Sequence, residues 1–303
     1  AEGHACRDYL KSRDIKADTR ERFGLGYAPD GWDRLVTLFQ TQNVDLRLAD
    51  EAGLVARRRQ GPGYYDRFRQ RLMFPIRSLA GEVIAFSGRT LSSDPDTPKY
   101  VNSPETPVYT KGRTLFGLYE ARKAMRRAGV AVVVEGNVDL LRLAQEGLEE
   151  VVAPMGTALT AGQCQLLKRF VPRAIVLYDG DRAGRAAAHK AVPMAMEAGL
   201  QIAVATLPDG SDPDTFVLQK GMDGLRALLG RGRPGFDFLL EEVITSTRAR
   251  EDARGTLMAV DRLAPILDGV ADPRERQLYH HRMAGALGID ESRLVGFLRE
   301  ARR

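Results

Sequence analysis

The chain has 303 residues, 44% of them hydrophobic and 28% charged, a mixture that fills sizeable cores and excludes a disordered or fibrous protein. At roughly 150 residues per domain the length suggests about two domains, and no window of about 20 apolar residues is present to span a membrane. The net charge is only +5, but residues 54–78 carry seven arginines and one acid, whereas residues 130–214 carry 11 acids and seven basic residues. That division suits a protein holding a polyanion in one place and cations in another.

Up to about residue 55, helical stretches alternate with Gly/Pro loops. Residues 74–89, FPIRSLAGEVIAFSGR, read as two short strands around an Ala80-Gly81 turn, and residues 92–117, rich in Pro, Ser, Thr and Asp, as an ordered surface loop. Residues 1–117 are therefore expected to form a mixed α+β amino-terminal subdomain. From Val130 onward the apolar runs AVVV, VVAP, AIVLY and IAVAT alternate with helical stretches, the pattern of a parallel sheet buried on both faces. This places a parallel βα subdomain in residues 118–220. Beyond Phe236 only helical periodicity remains, and residues 221–303 are expected to form a helical bundle: Leu257, Val260, Leu263 and Leu267 are spaced as one apolar face, and Tyr279, Met283 and Leu287 repeat the pattern before Gly288 stops the helix. The expected fold class is α/β, closed by a carboxy-terminal helical bundle.

Three of the four strands end in carboxylates: Glu135, then Asp179 and Asp181, then Asp209, Asp212 and Asp214. Ligands of open parallel sheets bind at the carboxyl ends of the strands, so these acids are expected to converge. Asp139 follows Glu135 at a helical i, i+4 spacing that predicts the same side. Taken singly, Asp-Gly-Asp is a turn signal and Asp212-Pro213 a helix cap; their coincidence at one sheet edge predicts a cation site. Oxygen donors suit Mg²⁺ or Mn²⁺, and the lack of clustered His or Cys argues against zinc. His189, His280 and His281 have no ligand spacing, Cys6 and Cys164 form no Cys-x-x-Cys pair, and neither a P-loop nor a Gly-x-Gly-x-x-Gly string occurs. Two distant cysteines and no signal peptide point to a reducing, cytoplasmic setting.

The order strand-Glu-Gly-x-x-Asp, strand-Asp-x-Asp, acidic loop resembles the Toprim module of primases, topoisomerases and some nucleases. The strings YYDRFRQRLMFPIR, FSGRTL, TPKYVNSPET and KGRTLFGLYEA, followed by VVVEG, YDGDRAGR and LPDGSDPDT, resemble the catalytic core of bacterial DnaG-type primases over essentially the whole chain. Asn137 departs from the tyrosine usual in that family after Glu-Gly. The resemblance implies metal-dependent synthesis of short RNA primers on single-stranded DNA from ribonucleoside triphosphates, by a monomer. Glu135, Asp179 and Asp181 are its first-choice catalytic metal ligands, with Asp139, Asp212 and Asp214 second. It assigns Arg22, Arg89, Lys99, Tyr100 and Lys111 to the nucleotide, and Arg113 to the template with Arg67, Arg69, Arg71 and Arg77. Those last four arginines offer planar charge to phosphates, and Tyr64, Tyr65 and Phe68 offer rings to bases. The family's zinc-binding and helicase-binding domains are expected only in the full-length protein. A Toprim nuclease or topoisomerase fragment, or a non-catalytic nucleic-acid-binding Toprim protein, are the rival readings.

Overall fold

The computed structural model describes residues 3–156, 158–208 and 210–301, so Asp209 lies outside the described residues. The chain divides into two compact units, Ala1–Arg127 with Val134–Thr157, and Ala128–Val133 with Ala158–Arg303.

The first unit is built on an antiparallel sheet of Gly26–Ala28, Arg71–Arg77, Val83–Thr90 and Tyr100–Asn102, in that spatial order. Its two long strands are the hairpin expected around Ala80-Gly81. Gly81 takes a φ of 99° at the turn, which a glycine adopts without a side-chain clash. Every residue from Arg71 to Ile76 is buried, and because strand side chains alternate, both faces of this strand are covered. Phe74 meets the Phe116 ring edge-on at 5.8 Å. Phe116, Leu115 and Tyr109 are each 1% exposed, which corrects the reading of residues 92–117 as a surface loop. A polar composition there conceals apolar anchors, the strand Tyr100–Asn102 and a 3₁₀ turn, Lys111–Arg113. Val55–Arg57 and Tyr64–Asp66 pair as a separate antiparallel ribbon.

The helix Asn137–Gln145 also belongs to this unit, and side chains near its carboxyl end tie it to residues 14–19. Gln145 Oε1 accepts from the Lys16 N–H at 2.7 Å and from Thr19 Oγ1 at 3.2 Å, while Gln145 Nε2 donates to the Asp14 carbonyl at 2.9 Å. The buried Arg142 guanidinium donates to the Asp14 carboxylate at 2.6 Å, the counter-charge a buried cation needs. The same bond holds the Asp14 carboxyl below the usual carboxylate range.

In the second unit, Val130–Val133 pairs in parallel with Arg173–Tyr178, which pairs in parallel with Gln201–Thr206; Arg233–Pro234 adds an antiparallel edge. Ala174 to Tyr178 are all buried, as a continuous apolar run between two covered faces requires. Helices Ala161–Lys168, Arg182–Ala198 and Pro213–Gly230 accompany these strands, the last broken at Gly221 with φ 67°. Four more follow: Gly235–Thr247, Ala253–Gly269, Pro273–Leu287 and Glu291–Ala301. Gly288, with φ 67°, ends the third of them as expected. No described helix is long and apolar enough to cross a membrane.

The apolar face expected on the helix Ala253–Gly269 needs one correction. Val260, Leu263, Ala264 and Leu267 are 0–3% exposed, but Leu257 is 46% exposed. Each i+3 step falls about 60° short of a full turn, so two such steps carry Leu257 about 120° from Leu263 and off the stripe. In urea unfolding, Leu263→Ala is expected to cost about 2–5 kcal/mol, and Leu257→Ala no more than about 0.5 kcal/mol. Equal costs would contradict this register.

Candidate active site

In the second unit the chain turns from strand to helix at Asp179-Gly180-Asp181. Asp181 caps the helix Arg182–Ala198, its Oδ1 accepting from the Gly184 N–H at 2.7 Å. Asp212 caps Pro213–Gly230 in the same way, its Oδ1 accepting from the Thr215 N–H at 2.7 Å, with Pro213 in the first turn. Each cap satisfies one N–H that the helix itself cannot. A carboxylate has about four lone-pair sites, so a single cap bond leaves capacity for a further ligand. Asp214 is half-buried one residue into the helix that Asp212 caps.

Two glycines bring these acids together. A Cβ on Gly180 would lie 2.3 Å from the Pro208 carbonyl oxygen and 2.5 Å from that of Leu207, and one on Gly184 would lie 2.4 Å from the Asp179 carbonyl oxygen. All three obstacles are backbone, which cannot swing aside as a side-chain end can. The exit of Arg173–Tyr178 therefore presses on the exit of Gln201–Thr206, and the start of the following helix presses on Asp179. The consequence is electrostatic: burial first, then the charges of Asp181 and Asp212, push the Asp179 carboxyl above its ordinary range. Sequence reasoning singled out the acids and missed these glycines, although Asp-Gly-Asp-x-x-Gly displays both.

The other two expected ligands, Glu135 and Asp139, belong to the first unit. Glu135 is exposed and precedes the helix, which begins at Asn137 with Gly136 as its cap. The i, i+4 helical argument for pairing Glu135 with Asp139 is therefore corrected: the glycine ends the extended backbone first, and only Asp139 lies in the first turn. A Cβ on Gly136 would sit 2.2 Å from Asp139 Oδ2, so the glycine makes room for that carboxylate. Asn137 is 6% exposed and packed inside the unit.

Asp179, Asp181 and Asp212 offer oxygen alone, under mutual repulsion that a hard cation relieves, so the donor set fits Mg²⁺ or Mn²⁺. Among the described residues no three His, Cys, Asp or Glu side chains stand close enough to enclose an ion by themselves. Magnesium does not need such a cage, since it commonly takes one or two carboxylates and completes its shell with substrate phosphates and water.

The basic side chains of the first unit sort by what they touch. Arg71 is 6% exposed and donates to the carbonyls of Gly88 at 3.1 Å and Pro98 at 2.9 Å. Arg77 stands 3.4 Å from the half-buried Glu120 and donates to the Gly81 carbonyl at 2.8 Å. Both are engaged inside the sheet. Arg69 stacks on the Trp32 ring with 3.8 Å to its centroid and donates to the Asp66 carbonyl, and Trp32 itself is 59% exposed. Trp32 was missed from sequence because it sits in a glycine-proline loop. Phe68, in contrast, is buried against Phe86 at 6.3 Å and is no platform for bases. Arg67 is half-buried, Lys99 and Arg113 are exposed, and the exposed Arg22 faces Glu149 at 3.9 Å.

Tyr100, in the segment read from sequence as a loop, is the cross-strand partner of Arg89 within the sheet. The Arg89 guanidinium lies over the Tyr9 ring, 4.0 Å from its centroid, and donates to the Thr90 carbonyl at 3.1 Å. Burial, then the neighbouring Tyr9, push the Tyr100 phenol up to about 12 against the pull of Arg89, with Asp139 adding to the rise. Tyr100 is thus a protonated donor at neutral pH, and Tyr9, Arg89, Tyr100 and Asp139 share one neighbourhood. Lys111 begins the 3₁₀ turn, its N–H donating to Glu105 at 3.0 Å.

Three family models match successive parts of the chain: the amino-terminal domain of the DNA primase catalytic core over residues 1–122, a Toprim-like domain over residues 132–217, and the DnaB-helicase binding domain of primase over residues 236–292. The third match overturns the expectation that no helicase-binding domain is encoded here. The DNA primase of Pseudomonas putida is 37% identical over 301 residues, covering 98% of this chain and 45% of its own length. The chain thus spans about half the length of the curated relatives it matches. A crystal structure of a DNA primase domain from Pseudomonas aeruginosa superposes with a TM-score of 0.91 at 35% identity, covering 98% of this chain and 93% of that one. The DnaG primase catalytic domain bound to ssDNA superposes with a TM-score of 0.85 at 38% identity, covering 96% of this chain and 91% of that one. With its Toprim-like parallel sheet, antiparallel amino-terminal sheet and carboxy-terminal helices, this chain belongs to the DnaG primase catalytic-core family.

Proposed function

We propose that this chain is the RNA-synthesising core of a DNA primase, joining ribonucleoside triphosphates into a short RNA on a single-stranded DNA template. The observation that carries the reading is the crowding of Asp179, Asp181 and Asp212 at the carboxyl end of the parallel sheet, which raises the Asp179 carboxyl and invites a divalent cation. The ssDNA bound by the similar catalytic domain supports the choice of template. Glu135, Asp179 and Asp181 would hold Mg²⁺ or Mn²⁺, with Asp139, Asp212 and Asp214 as further ligands. Such an ion supplies charge neutralisation for the triphosphate and a lowered pKa for the attacking 3′-hydroxyl.

The chain's own residues bind and orient. Arg22, Arg89, Lys99, Tyr100 and Lys111 take the triphosphate by charge and hydrogen bonds, with the Tyr100 phenol as donor. Arg67, Arg69 and Arg113 hold template phosphates, while Arg71 and Arg77 keep rigid the sheet that presents them. Residues 1–117 serve as the binding subdomain, 118–220 as the catalytic Toprim subdomain and 221–303 as the helical bundle. Residues 236–292 contact a replicative helicase, the zinc-binding domain is supplied by the longer protein, and the core acts as a monomer in the cytoplasm.

Labelled ribonucleotides on single-stranded DNA test the reading: a ladder supports it, and cleavage or inert binding overturns it. Asp179→Asn is expected to lower extension of an annealed primer by about 10²-fold or more. Because the folded-state pKa of Asp179 is raised, its ionisation costs stability once pH exceeds the ordinary carboxylate value. The metal-free variant should therefore melt higher than the wild type at neutral pH, and that gain should vanish as pH falls below the ordinary value. Gly136→Ala should displace the Asp139 carboxylate, reducing extension roughly 10- to 100-fold and raising the Mg²⁺ requirement at nearly unchanged melting temperature. If about four phosphates are held, log affinity for single-stranded DNA should fall with log salt at a slope near −3. Arg69→Ala and Lys99→Ala should each flatten that slope by somewhat under one unit, and Arg77→Ala should leave it unchanged.

A further inference from the structure

We propose that Tyr9, on the amino-terminal helix His4–Ser12, is a positioning residue that holds Arg89 in the orientation needed to receive the nucleoside triphosphate. The inference rests on the reading of Arg89 as a nucleotide-binding group and extends it to a side chain in a different element.

Three observations carry it. The Arg89 guanidinium lies 4.0 Å from the Tyr9 ring centroid, well inside the range of an effective cation–π contact. Arg89 also lies opposite Tyr100 in the strand register and donates to the Thr90 carbonyl at 3.1 Å, so ring and carbonyl hold one planar cation from two sides. The helix itself is anchored, since Cys6 and Leu10 are buried at 6% and 5% while Tyr9 between them remains half-exposed. Tyr9 is therefore on a rigid element without being a core residue. An arginine with only its single bond to the Thr90 carbonyl would sample many rotamers. A triphosphate would then have to immobilise it on binding, and that cost falls on affinity. A ring already stacked on the guanidinium leaves its N–H edges free to bind phosphate oxygens, because cation–π contact uses the face and hydrogen bonding uses the edge.

The test is the KM for the nucleoside triphosphate and kcat in extension of an annealed RNA primer, measured for Tyr9→Leu, Tyr9→Phe, Arg89→Ala and the Tyr9→Leu/Arg89→Ala pair. Tyr9→Leu should raise KM about two- to thirty-fold, the span of one cation–π contact, with kcat within about two-fold. Tyr9→Phe keeps the ring and should retain the wild-type KM. Tyr9→Leu should add nothing in the Arg89→Ala background, as expected for a residue acting through Arg89. Should Tyr9→Leu fail to fold, Tyr9→Met serves in its place. A raised KM for Arg89→Ala with an unchanged KM for Tyr9→Leu would overturn the positioning role alone. So would equal effects of Tyr9→Leu in both backgrounds, or a loss confined to kcat. An unchanged KM for Arg89→Ala would instead overturn the nucleotide reading of Arg89, and this inference with it.

Discussion

At Gly180 the backbone passes so close to the Leu207 and Pro208 carbonyls that no side chain fits, and the placing of the acids in the second unit follows from that approach. Two parallel strands leave their sheet side by side, and each exit loop carries aspartates. Elsewhere on a surface such carboxylates would spread apart into water. Here the strand register and the glycine fix their spacing, so the repulsion is retained and appears as the raised Asp179 carboxyl. A cation is the partner that would relieve repulsion of this kind, which is why the proposed function places one there. Helix capping and cation binding are compatible in the same residues: Asp181 and Asp212 each use Oδ1 to accept one cap hydrogen bond, and a carboxylate has capacity for more.

The first unit handles positive charge by a different rule. A guanidinium serves phosphate best when it is held without being neutralised, by carbonyls or rings; Arg22, which faces Glu149 at 3.9 Å, is the exception among the proposed nucleotide residues. Arg69 on Trp32 and Arg89 on Tyr9 follow that pattern. Arg77 beside Glu120 and Arg142 on Asp14 are paired with acids and act inside the fold. The distinction is physical: a carboxylate partner cancels the field an incoming polyanion would feel, whereas an aromatic face or a backbone carbonyl leaves most of it in place.

Much of this was legible in the sequence. Continuous apolar runs gave the parallel strands, because a strand covered on both faces needs no polar alternation. The hairpin around Gly81 and the stop at Gly288 were readable because each depends on a single local residue. The misreadings share a cause, since each involves a residue whose setting is decided far along the chain. Phe68 stands in a basic strip and reads as a base platform, yet Phe86 on another strand buries it. Tyr109 and Phe116 sit in a polar segment that looks like a surface loop until Phe74 is placed beneath Phe116. Among seven neighbouring arginines, composition could not tell Arg71, enclosed by the Gly88 and Pro98 carbonyls, from Arg69 on its exposed tryptophan.

The helix Asn137–Gln145 shows how the architecture extends to a single carboxylate. Asp139 is in its first turn, where the helix dipole and the free N–H groups favour negative charge, and Gly136 leaves that carboxylate its space. One end of a short helix is well placed only if the other end cannot pivot. Arg142 and Gln145, near the far end, meet Asp14, Lys16 and Thr19 through five hydrogen bonds to carbonyl, carboxylate, N–H and hydroxyl groups. Residues 14–19 lie directly after the helix that carries Tyr9. The same short stretch of chain thus fixes the helix bearing Asp139 and continues from the helix whose ring holds Arg89, so residues 4–19 orient a candidate metal ligand and a candidate phosphate ligand together.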